Sequence, residues 1–390
     1  MANRARTFLG LYAGPASDGA EAALVRIAGR GEGMKVRPLA ALHRPAPQEL
    51  RRRLLSVQTG WADSAKGFAA LRRDVAALLA ETGSALLKEA GTAGRDLAAV
   101  GVCGPQTGCT APALPASQRQ AGDEAPPAML ELCEPAMVAS RLGAAAVGGF
   151  AASDLAAGGV GGPVTAWPDW LVFRDDRLSR VVVRLGAVAS LAFVGTAAAA
   201  CEVVACDVGP GTALIDGLMA RLYEQPMDGD GAAAARGSPS GALLNELQAG
   251  EFLHRAPPKL TCAGDWMGPA LERVEMMAAK YLSQAVDIVA TVTELTARII
   301  ARDVLGLTER PHEVVLAGGG ARNIHLAGRI RSLLSPCSTY TVEHYGFDLR
   351  GYTPACLAVL AAARMDGFAA HCPAATGAAS AKPLGAVVLP

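Results

Sequence analysis

Three glycine-containing turns carry the residues best suited to chemistry in this sequence. The first runs Ala13-Gly14-Pro15-Ala16-Ser17-Asp18-Gly19, with Glu21 just beyond it. The second runs Asp207-Val208-Gly209-Pro210-Gly211-Thr212, and the third is Gly318-Gly319-Gly320-Ala321-Arg322-Asn323. Glycine lets backbone N–H groups approach an anion, and a following helix adds positive potential at its N-terminus. An aspartate in such a turn repels phosphate unless it holds Mg²⁺ or a water of its shell, so Asp18 and Asp207 are candidate metal-binding carboxylates. The third turn follows a strand and opens a helix, a place for a nucleotide, but lacks the Gly-Lys-Ser/Thr of a P-loop. Taken singly, each turn also reads as an ordinary tight connection. Asp154, ahead of Ala156-Ala157-Gly158-Gly159, is the candidate catalytic carboxylate, able to accept a proton from a hydroxyl or water. An aspartate capping a helix or turn at Leu155 has the same local sequence.

The elements that must position these residues repeat across the chain. Phe8–Tyr12 and Glu21–Ile27 read as a hairpin around the first turn, and Leu97–Val102 and Ala144–Gly148 as further strands. Helical spacing marks Gln48–Leu55, Lys66–Leu79, Thr82–Ala90 and Glu134–Leu142, and Pro112–Pro127 reads as a loop. From Arg180 the pattern restarts, with strands at Val181–Arg184, Ala189–Val194 and Glu202–Cys206 and a helix at Ala213–Tyr223. A long periodic helix is predicted over Leu271–Leu305. A strand at Glu313–Leu316 follows, then helices ending at Leu334 and spanning Pro354–Met365. The expectation is a duplicated α/β fold with a cleft between its halves. We place the lobes at residues 1–180 and 181–370, with 371–390 returning to the first lobe.

Composition narrows the function. The 390 residues carry zero net charge and only 18% charged residues, with no basic stripe for nucleic acid. The apolar run Leu185–Cys201 is too short and too interrupted to span a membrane, and no signal peptide is apparent. Nine cysteines without a Cys-x-x-Cys pair argue for reduced, mostly buried thiols rather than a disulfide framework, as expected of a cytoplasmic protein. The isolated histidines form no transition-metal motif.

Set in order, six segments resemble the anhydro-N-acetylmuramic acid kinase family. They are "FLGLYAGPASDGAEAALV", "AVGVCGPQTG", "LELCEPAMVASRLG", "SDLAAGGVGGPVTAWPDWLVF", "ACDVGPGTALIDGLM" and "VVLAGGGARNIHLAGRI". The resemblance implies duplicated ribonuclease-H-like (actin-like ATPase) domains flanking a nucleotide cleft. It implies a kinase that uses ATP and Mg²⁺ to open the 1,6-anhydro ring of its amino sugar and phosphorylate O6, within peptidoglycan recycling. Carried over, Asp154 is the base. Gly14, Ser17, Asp18, Gly19, Glu21, Asp207, Gly209, Gly211, Gly318, Gly319, Gly320 and Asn323 surround ATP, and Gln106, Thr107 and Glu134 face the sugar. A cytoplasmic homodimer is implied. The family's Ser-Gly-Thr-Ser reads Ala13-Gly14-Pro15-Ala16 here, its Asn-Ile-Gly-Gly begins at Arg184, and a late acidic residue reads Thr353. Those departures leave a kinase for another sugar, or a nucleotide- or sugar-binding regulatory paralogue, as alternatives.

Overall fold

The computed structural model describes residues 5–60, 63–107, 109, 127–281, 284–307 and 309–390. The loop expected at Pro112–Pro127 lies outside these residues, Pro127 excepted. The strands are β1 (Arg6–Tyr12), β2 (Gly19–Ala28), β3 (Lys35–Pro45), β4 (Leu97–Cys103), β5 (Gln106–Thr107), β6 (Leu130–Glu131) and β7 (Ala146–Gly148). After them come β8 (Arg180–Leu185), β9 (Val188–Val194), β10 (Val204–Pro210), β11 (Glu313–Ala317), β12 (Ser338–Thr341) and β13 (Ala386–Val388).

Two sheets share one topology. The first is ordered β13-β7-β4-β1-β2-β3 and the second β10-β9-β8-β11-β12. Each opens with an antiparallel meander, β1-β2-β3 or β8-β9-β10. Each then adds parallel strands, β4 and β7 or β11 and β12. Parallel neighbours need crossover connections, and helices supply them. Helices Gln48–Gln58 and Ala65–Glu89 lead from β3 to β4, and Ile324–Leu334 leads from β11 to β12. This is the duplicated ribonuclease-H-like architecture, with the repeat visible in strand order and not in sequence letters.

Alternation along the strands divides the core. Leu9, Leu11, Val100 and Val102 face the helices on one side of the first sheet, whereas Phe8 and Ala99 face the other side. In β8, Val181 and Val183 enter the second lobe's helical core, whereas Val182 joins the layer between the sheets.

Helix Tyr352–Met365 fills that middle layer. Sequence alone assigned it to the second lobe, yet it packs on β1, β2 and β4 of the first sheet. Nearly every residue from Tyr352 to Ala363 is buried, so the helix is apolar all round and has no amphipathic stripe to reveal which lobe it serves. Its close approach depends on two glycines. A Cβ on Gly10 would lie 1.7 Å from the Pro354 carbonyl oxygen, and one on Gly101 would lie 2.1 Å from that of Leu357.

Other boundaries also differ from expectation. Lys66–Leu79 and Thr82–Ala90 are one helix, Ala65–Glu89, started by the Ser64 hydroxyl accepting the Gly67 N–H at 3.0 Å. The single helix expected over Leu271–Leu305 is two, Pro269–Lys280 and Ala285–Leu305. Strand β13 pairs antiparallel with β7, bringing the C-terminal segment onto the first sheet.

Gly10→Ala should therefore lower unfolding free energy by at least about 1–3 kcal/mol, the usual cost of overpacking a filled core. Urea denaturation of the variant beside the parent protein measures it.

Candidate active site

The three turns meet in one cleft of about 470 Å³. Gly14, Asp18 and Glu21 line it from the first hairpin. Asp207 enters from the middle of β10, which runs to Pro210, so most of the expected second turn is strand; Gly318, Gly319, Gly320 and Asn323 enter from the segment after β11. Gln106 lines it too. Lobe duplication brings the equivalent hairpin turns, β1–β2 and β8–β9 with Gly186 and Ala187, to the same cleft.

Other expected residues stand behind the wall. Ser17 is buried and holds φ at +55°, and its Oγ accepts the Gln58 amide at 3.1 Å. The same amide donates to the Pro15 carbonyl at 2.6 Å, so Gln58 props the first turn from beneath. Gly19, Gly209, Gly211 and Thr107 are not among the lining residues. Gly211 instead donates its N–H to the Ala187 carbonyl at 2.9 Å. Glu134 lies at the surface, paired with Arg72 at 2.9 Å.

Asp154 is placed unlike its expected role. It lies inside helix Phe150–Ala156, its exposure is 0%, and it does not line the cleft. One oxygen accepts the Gly161 N–H at 2.7 Å, and the other pairs with His371 Nε2 at 2.7 Å. The Lys382 N–H reaches His371 Nδ1 at 3.3 Å, which fixes Nδ1 as the acceptor and Nε2–H as the donor to Asp154. Backbone bonds from Val160 to Thr376 and from Ala379 to Ala157 tie the same loop to the C-terminal segment. Asp154 thus braces Gly161 and Gly162, which do line the cleft. The reach of 217 residues to His371 is invisible in local sequence.

Burial sets the protonation of the acids at the cleft. The Asp207 carboxyl is pushed up to about 7 by burial, against the pull of the Thr261 N–H and Lys259. Asp216 also rises to about 7 by burial, with the Thr212 hydroxyl lowering it and Asp18 raising it. Glu21 rises to about 8, by burial and then by Asp18. Near neutral pH these groups are substantially protonated, so the cleft repels a phosphate less than its acid count implies.

Sequence reasoning missed the cations. Arg184, Arg350, Arg51 and Arg322 all line the cleft; Arg322 lies in the third turn and Arg184 in a family-like segment, whereas Arg51 and Arg350 come from segments without a recognisable motif. Arg184 is locked: it forks onto Asp169 at 2.6 and 2.7 Å, and Tyr352 donates to the same carboxylate at 2.8 Å. The thiol expectation also needs correction. Cys109 and Cys262, 153 residues apart, form a disulfide with Cα atoms separated by 6.1 Å, and both line the cleft. Spacing along the chain cannot reveal such a pair.

Among the described residues no three His, Cys, Asp or Glu side chains gather to hold a metal alone. Asp18 and Asp207 both line the cleft, and carboxylates are the ligand type for a hard cation that arrives partly coordinated by phosphate oxygens.

Two lobes of one topology around a cleft of glycine turns and carboxylates define the duplicated ribonuclease-H-like, actin-like fold class, which by itself assigns no activity. The family model described as anhydro-N-acetylmuramic acid kinase matches residues 6–390. The chain belongs to that family. Proteins of that name from Gloeobacter violaceus and Salinibacter ruber are 36% and 34% identical to it. The first alignment covers 97% of each chain, and the second 99% of this chain and 96% of the relative. One from Vibrio cholerae is 28% identical, with full coverage of both chains at 100%. Among the described residues no helix is long and apolar enough to cross a membrane.

Asp169→Asn would leave the Arg184 guanidinium buried without a matching charge. The expected loss is about 3–5 kcal/mol of stability, read from the urea midpoint.

Proposed function

We propose that this protein is an ATP-dependent kinase that hydrolytically opens the 1,6-anhydro ring of anhydro-N-acetylmuramic acid and phosphorylates O6, with Asp207 as its general base. Family membership supports the substrate and the nucleotide. Two observations support the residue assignment: Asp207 lies on the cleft wall with one oxygen held by the Thr261 N–H at 3.0 Å, and burial raises its carboxyl to about 7, as it also does that of Asp216. A base works best when its pKa lies near the operating pH.

In this reading Asp207 takes one proton from a water. The water oxygen bonds to C1 of the sugar as the C1–O6 bond breaks. The freed O6 attacks the terminal phosphorus, the bond to the bridging oxygen breaks, and ADP leaves. Asp207 then returns its proton to solvent, giving N-acetylmuramic acid 6-phosphate, ADP and H⁺. The Thr261 N–H, 3.0 Å from one Asp207 oxygen, orients the carboxylate. Asp18 would hold Mg²⁺, directly or through a water, and the cation would neutralise phosphate charge. Gly161 and Gly162 form the wall that Asp154 and His371 brace, so Asp154 acts through position rather than by proton transfer. Closure of the lobes would exclude bulk water and limit futile ATP hydrolysis. Family membership also supports a cytoplasmic homodimer.

The sign of the pH dependence follows from the base. Below about 7 Asp207 is protonated and cannot accept a proton, so kcat/KM for the sugar should rise through pH 7 and level off above it. A coupled ADP-release assay with ATP, Mg²⁺ and the anhydro sugar measures this. Asp207→Asn should lower kcat by about 10²-fold or more. Absence of sugar-dependent ADP release from the parent protein would exclude the activity.

A further inference from the structure

Arg350 is unaccounted for by the mechanism above, and its surroundings are unusual. It leaves the loop that joins the third glycine turn's neighbourhood to helix Tyr352–Met365. That loop is fixed: Asp348 Oδ1 accepts the N–H groups of Arg350 and Gly351 at 2.9 and 2.8 Å, and the Leu349 carbonyl accepts the Gly318 N–H at 3.0 Å. The guanidinium lies along the third turn, where a Cβ on Gly319 would be 3.6 Å from its Cζ and Nε. Its far end crosses to the first hairpin, with one terminal nitrogen 2.9 Å from Asp18 Oδ2. Arg350 therefore spans two of the three turns and lines the cleft between them. Its Nε is buried without an acceptor.

The first turn offers a terminal phosphate few donors beyond the backbone N–H groups of Gly14 and Ala16. Pro15 has no N–H and Ala16 no hydroxyl. Glu21, beside the same group, carries a carboxyl raised to about 8 and so does little to neutralise Arg350 near pH 7. A side chain with an unused, buried N–H and a movable salt-bridge partner fits a forked contact to phosphate oxygens.

We propose that Arg350 recognises the terminal phosphate of the bound nucleoside triphosphate, adding to the few backbone donors of the Gly14-Pro15-Ala16 turn and making the cleft prefer triphosphate over diphosphate. The contact forms as Asp18 turns from Arg350 to the phosphate-bound cation. Arg350 makes no covalent bond and moves no proton; it stabilises charge on the phosphoryl group before and during transfer. This rests on the nucleotide-cleft reading given above.

The test is equilibrium binding of ADP and of a non-hydrolysable ATP analogue, each with Mg²⁺, to the parent protein, Arg350→Ala and Arg350→Gln. Circular dichroism and the melting temperature are recorded for each. Both variants should bind the triphosphate about 10- to 100-fold more weakly, the range for one charge-assisted hydrogen-bonding group. ADP affinity should stay within about twofold, since the lost contact is to the terminal phosphate. Should Arg350→Ala fail to fold, the near-isosteric Arg350→Gln carries the comparison. Equal loss for both nucleotides would make Arg350 a latch between the lobes and overturn the inference, as would unchanged affinity for both. A parent protein that binds neither nucleotide overturns the nucleotide-cleft reading, and this inference with it.

Discussion

A buried cation at the cleft wall constrains much of this molecule. Arg184 sits at the end of β8 with its side chain only 11% exposed, and Asp169, its partner, is fully enclosed. Burial works against the charge on Arg184, yet Asp169 holds the guanidinium protonated with a pKa above its ordinary value. The Tyr352 hydroxyl joins the pair, and the guanidinium also lies over the Tyr352 ring at 5.3 Å. Three separate elements must therefore arrive together: a strand of the second sheet, helix Ala166–Phe173 and helix Tyr352–Met365. A buried pair of this kind contributes little net stability, but either partner alone is costly. Its consequence is registry, because it fixes the middle helix against the second sheet while Gly10 and Gly101 fix it against the first.

The cleft inherits its geometry from that registry. The middle helix begins where the Arg350 loop ends, so placing the helix places a cation between the first and third turns. The braces from behind are of the same kind. Gln58 supports the first turn, and Asp154 with His371 supports the Gly161–Gly162 wall. Asp154 and His371 have their hydrogen-bonding groups met by backbone and by each other, whereas Gln58 spends its amide N–H groups on the turn and keeps a buried oxygen without a partner. The carboxyls left facing the cleft, Asp207, Asp216 and Glu21, are the ones pushed upward by burial.

Several elements were legible because their signals are local. The hairpin β1–β2, strand β8 and helix Ala213–Tyr223 follow from apolar periodicity bounded by glycine. Strand β3, Lys35–Pro45, gave no such signal. Its side chains are largely half-exposed, and it carries Pro38 and Pro45, which only an edge strand accommodates. The two helices between Pro269 and Leu305 read as one because the sequence between Lys280 and Ala285 barely interrupts the apolar spacing. The depth of Asp154 was not legible in the sequence, for a physical reason. A catalytic carboxylate and a bracing carboxylate are the same residue in the same kind of glycine-rich stretch, and only depth within the fold separates them.

The sequence by itself determined the class of fold, the three glycine turns and the family, because strand alternation, turn chemistry and motif order are written in neighbouring residues. Tertiary structure alone decided which carboxylate faces the cleft and which braces it from behind, and which lobe owns helix Tyr352–Met365. It also brought four arginines to the site and placed Cys109 beside Cys262. Burial, and with it protonation and hydrogen-bond partnership, is set by residues hundreds of positions apart, and no local pattern encodes that proximity.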